Sequence, residues 1–133
     1  MEKKPALDPE IVKDFVANAH GNRARVLELL DLEPTLINAT WDWGGGDWET
    51  ALGAASHMGR RDIAHDLLER GARIDIFAAA MLGQVEIVLA ILKAFPDARA
   101  QRGPHGIALL AHAKGGGPEA ASVVELLQTL DPL

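Results

Sequence analysis

Cysteine is absent from this 133-residue chain. That removes disulfide frameworks and thiolate chemistry together, and it is compatible with a reducing compartment. Basic charge is also scarce: 13 Lys and Arg stand against 19 Asp and Glu, for a formal net charge of -6. Nucleic-acid binding relies on clustered cations that neutralise phosphates. The one dense cluster, Arg60-Arg61, is followed at once by Asp62, so nucleic acid is not an expected partner. No apolar run approaches the roughly 20 residues of a membrane-spanning helix. The Lys3-Lys4 pair has no apolar stretch behind it, so the N-terminus does not read as a secretion signal. These absences together predict a cytoplasmic protein with no membrane partner. Phosphate loops, nucleophile elbows and closely spaced His or Cys pairs are also missing, so neither a cofactor nor a metal is expected.

What the chain does have is a hydrophobic fraction of 48%, arranged as short one-faced stripes between glycines. Asp8-Pro9-Glu10 reads as a helix start, with Asp8 as N-cap and Pro9 in the first turn. Ile11, Val12, Phe15, Val16 and Ala19 form one apolar face, and Gly21 is the expected stop. A second helix is expected over Arg25 to Leu32. The clearest unit spans Glu49 to Arg73. There Thr50-Ala51-Leu52 opens a short helix, Ala54-Ala55 permits close packing, and Gly59 supplies a left-handed cap. Ile63, Ala64, Leu67 and Leu68 then give one apolar stripe before Gly71-Ala72. Gly83 lies 24 positions after Gly59, and Gly116 lies 33 after Gly83.

This pattern resembles the ankyrin repeat, whose consensus runs T-P-L-H-x-A-A, then G, two apolar residues, a Leu pair and G-A. Ala51 stands in place of the usual Pro and Gly53 in place of the usual His, with the Thr, Leu, Gly, Ile, Leu-Leu and Gly-Ala landmarks in register. The resemblance implies an all-α solenoid of stacked helix–turn–helix units in a single domain over 1–133. Its repeats would fall at about 9–38, 48–73, 74–98 and 105–130, with finger loops at 38–49 and 99–106. The first finger would be enlarged. The second would end in the Gly103-Pro104-His105-Gly106 turn. The third repeat would be fingerless, because the Gly59–Gly83 spacing leaves no room for a finger. Residues 1–7 and Asp131-Pro132-Leu133 read as short tails.

By the same resemblance the concave face and finger tips bind a partner, most often a protein or peptide. The candidate surface is Trp41, Asp42, Trp43, Asp47, Trp48 and Glu49 from the first finger, which holds all three Trp of the chain. His57, Met58, Phe77 and Met81 join from the middle helices, and Arg102 and His105 from the second finger. A binding role is expected in preference to catalysis. The alternative is a small-molecule or acid/base site in a notch over Phe77, Ala78 and Met81, using His57, His105, His112, Asp42 and Glu49. Each residue also has a plainer reading. The Trp residues would pack as a lid on the first repeat, and His20 and His57 would cap helix C-termini. His112 would be a satisfied core residue, His65 a solvated one, and His105 a turn residue.

Overall fold

The computed structural model describes residues 3–130. Eight α-helices alternate with short turns: α1 (Pro9–Asn18), α2 (Arg23–Leu32), α3 (Ala51–His57), α4 (Arg61–Glu69), α5 (Ile76–Met81), α6 (Val85–Ala94), α7 (Leu109–Gly115) and α8 (Ala121–Leu130). Side-chain caps fix several starts. Asp8 accepts from the Glu10 amide at 2.9 Å, Thr50 from Gly53 at 2.9 Å and Asp75 from Ala78 at 2.8 Å. Asn22 accepts from the Arg25 amide, which starts α2 at Arg23 and not at Arg25. The chain is mostly helical but not wholly so. An antiparallel hairpin, β1 (Thr40–Asp42) and β2 (Trp48–Thr50), pairs Trp41 with Glu49.

Each odd-numbered helix packs on the even one that follows it, and α1, α3, α5 and α7 lie side by side in sequence. This packing needs small residues. Ala54, Ala55, Ala78, Ala79 and Ala80 are all fully buried. The glycine after α3 does two jobs. Gly59 has φ +66, and a Cβ there would stand 2.5 Å from the Gly115 carbonyl oxygen. Gly83 repeats the pattern against the Glu119 carbonyl. Phe15, Leu29, Leu52 and Leu67 are at most 2% exposed, and each contributes about 1.5–3 kcal/mol by leaving water.

One expectation about a helix end needs correction. Gly21 is not among the left-handed glycines, and α1 already ends at Asn18. The stop comes instead from His20, whose Nδ1 sits 3.2 Å from the Val16 carbonyl and 3.0 Å from that of Ala17. The expected second finger is a compact loop in which Pro96–Ala100 forms a 3-10 turn and Arg102 bridges Ala108. Within it His105 adopts φ 61, ψ 18, a left-handed conformation unusual for a residue with a Cβ. No helix among the described residues is long and apolar enough to cross a membrane. The C-terminal tail lies outside the described residues.

Candidate functional site

The hairpin register determines the site. Along β2 the side chains alternate exposed, buried, half-buried, so Trp48 faces solvent while Glu49 turns inward at 1% exposure. A carboxylate removed from water is costly unless it is paired. Three histidines from three separate elements meet it. His20, just past α1, places Nε2 3.1 Å from Glu49 Oε1. His57, the last residue of α3, places Nε2 3.0 Å from Oε2, and His105 of the second loop places Nε2 3.2 Å from the same oxygen. Trp43 Nε1 donates to Oε1 at 2.9 Å. The His57 ring lies 5.0 Å from that of His20 and 5.2 Å from that of His105.

The orientation of two rings is imposed from behind. His20 Nδ1 faces only carbonyl oxygens, so it donates. His105 Nδ1 lies 2.6 Å from Asp47 Oδ2, and the His105 amide donates to Asp47 Oδ1 at 2.8 Å. With its proton on Nδ1, a neutral imidazole carries a lone pair on Nε2. In His20 that lone pair points at a Glu49 oxygen, and neutral His105, with a carboxylate at each ring nitrogen, points a lone pair at one of them in either tautomer. The contact is favourable only if the ring takes a second proton or a cation lies between the atoms. Glu49 Oε2 and His57 Nε2 are both buried without a hydrogen-bond partner among the described residues, although only 3.0 Å apart.

The ionisation of the groups follows the same geometry. Glu49 holds His20 above the usual histidine value, against the opposing effect of burial. Burial alone would raise the Glu49 pKa, but the facing His20 and His57 with the Trp43 N–H bring it down to about 2. The His105 amide, with its ring, lowers Asp47. The carboxylates are therefore ionised at neutral pH.

Donor atoms from His20, Glu49, His57 and His105 all lie within 4.8 Å of one another. Donors about 2.0–2.1 Å from a tetrahedral ion stand about 3.4 Å apart; the three histidine–carboxylate separations are 3.0 to 3.2 Å. Three imidazoles and one carboxylate suit zinc, copper, iron or nickel better than calcium or magnesium, which prefer all-oxygen shells. The Asp47–His105 and carbonyl–His20 pairs are the arrangements that orient metal-binding histidines. The His20 and His105 side chains remain 27% and 32% exposed, so the cluster meets solvent on their side.

Of the residues singled out from sequence, the fold gathers His57, His105, Glu49, Asp47 and Trp43 here. It places the others elsewhere. Asp42 accepts from the Gly44 and Gly46 amides and holds the hairpin tip. Trp41 packs on the core. Met58 is exposed but outside the cluster. Met81 and Ala78 are fully buried and cannot be surface residues, because α5 is covered by both α3 and α7. His112 is fully buried on α7, with its ring 4.8 Å from that of Phe77 and Nδ1 2.9 Å from the Ala108 carbonyl. Its Nε2 has no hydrogen-bond partner. His65 is exposed. His20 was expected only as a helix cap, and it both caps α1 and joins the cluster. The available signal was that His20 and His57 each lie within two residues of a glycine that follows α1 or α3. No protein-family model matches this chain, and a search of the curated proteins finds no match.

Proposed function

We propose that this protein binds a divalent transition-metal ion, zinc being the best fit, through Nε2 of His20, His57 and His105 and the carboxylate of Glu49. It would do so on an ankyrin-like scaffold whose two fingers meet over the ion. The observation that carries this reading is the convergence of three imidazole Nε2 atoms on one buried carboxylate, with Glu49 Oε2 and His57 Nε2 left without a hydrogen bond. A cation at their centre answers all of these groups at once. With Glu49 bound through one oxygen the four donors complete a tetrahedral shell. An ion of higher coordination number would take water on the exposed His20–His105 side, where acid/base or hydrolytic chemistry would have room.

This reading replaces the expectation of a protein without metal or cofactor. It also makes less use of the finger as a protein- or peptide-binding surface. Such a role relies on aromatic anchors, and Trp41 and Trp43 are packed against the core while Trp48 alone is 59% exposed. Isothermal titration of metal-free protein with zinc tests the proposal. One equivalent should bind per chain, and H57A or E49Q should weaken binding by roughly 100-fold or more, beyond the range for losing an orienting partner. Equal zinc binding by wild type and both variants would refute it.

A further inference from the structure

A cavity of about 400 Å³ lies beside the Asp47–His105 contact and shares Asp47 with it, but none of the four proposed metal donors lines it. It exists because α5 follows α4 with no finger of its own. The gap is walled by Asp47 and Trp48 of the hairpin, by Arg102 and Pro104 of the second loop, and floored by Asp75 and Phe77. Its volume lies within the range of small-molecule sites, about 300–1,000 Å³.

The wall chemistry selects a class of ligand. Trp48, Phe77 and Pro104 offer flat apolar faces, and the Trp48 indole is 59% exposed, which is costly for so large an aromatic group. Three charged groups line the cavity: Asp47, Asp75 and Arg102. Both Asp47 oxygens hold His105, and Asp75 Oδ1 caps α5. Arg102 has only Nη1 engaged, on the Gly106 carbonyl at 3.0 Å, and no carboxylate within ion-pair distance among the described residues. A guanidinium with its remaining donors open is suited to a bidentate carboxylate. We infer that the gap between the fingers is a binding site for a small aromatic carboxylate, its acid group on Arg102 and its ring against Trp48 and Phe77. Gly103 helps to shape the wall. A Cβ there would meet the His112 ring at 3.1 Å and Phe77 at 3.4 Å, so the loop lies close over both rings.

This inference does not depend on the metal. The test is a pair of titrations, one on zinc-loaded protein and one on chelator-treated protein, followed by Trp48 indole and Arg102 Nε resonances in NMR. The probes are benzoate and indole-3-acetate, with benzamide and benzylamine as controls. Both carboxylates should give saturable shifts in at least one of the two forms. Binding should fall about tenfold or more in R102Q, the expected loss for one charge-assisted bidentate contact, and also in W48A. Trp48 and Arg102 are both solvent-exposed, so each variant should keep the wild-type Tm and zinc affinity. Saturable binding that survives R102Q, an equal response to benzamide, a preference for benzylamine, or no response in either form would overturn the inference. Carboxylate binding without zinc binding would leave this site standing and remove only the metal reading.

Discussion

His57, the last residue of α3, and His112, in the middle of α7, belong to short helices of the same row, yet they sit in opposite environments. His57 faces a buried carboxylate and two more imidazoles. His112 faces Phe77 and the Gly103 backbone, with Nε2 unanswered. Burial lowers the pKa of His112, whereas Glu49 holds His20, beside His57, above the ordinary value. A buried imidazole alone is held neutral and inert. The same ring beside a buried carboxylate becomes part of a site that calls for a cation.

The largest expected effect separates the two directly. Zinc at about 1,000 times its Kd should stabilise wild type by roughly 4 kcal/mol, read as a rise in Tm. H57A should lose that rise, while H112N should keep it. The next effect concerns support from behind. Asp47→Asn should weaken zinc binding by about 10- to 100-fold by loosening His105, leaving the stoichiometry at one ion.

A smaller effect is expected from acid. The folded-state pKa of His112 lies below its unfolded value near 6.5, so the unfolded chain takes up this proton first. The stability tied to neutral His112 is thus complete above about pH 6.5 and falls as the pH drops towards the folded pKa. The slope is at most about 1.4 kcal/mol per pH unit. Denaturant titrations of wild type and H112N across pH 5–7 should show a shallower loss in the variant. An unchanged slope would show that His112 is not held neutral by burial.

The helices were largely legible in the sequence, because apolar stripes and glycine stops are local signals. Gly59, Gly71 and Gly83 are left-handed as their positions suggested. Gly44, Gly45 and Gly46, between β1 and β2, all have positive φ, the freedom that a tight reversal needs. The site was legible only in part. Glu49 looks like any acidic finger residue until the Trp41–Glu49 register turns it inward. The role of His20 depends on α1 lying against α3, a contact between elements some 30 residues apart in sequence. The expected notch over Phe77, Ala78 and Met81 reduces to Phe77. Phe77, the second residue of α5, is half-buried, but α3 and α7 close over Ala78 and Met81.

The most direct test of the metal centre is anomalous scattering at the zinc edge from crystals grown with one equivalent of zinc. The expected result is a single peak about 2.0–2.1 Å from Nε2 of His20, His57 and His105 and from a Glu49 oxygen. A structure with no peak among these four side chains, or with zinc only at other surface residues, would contradict the account.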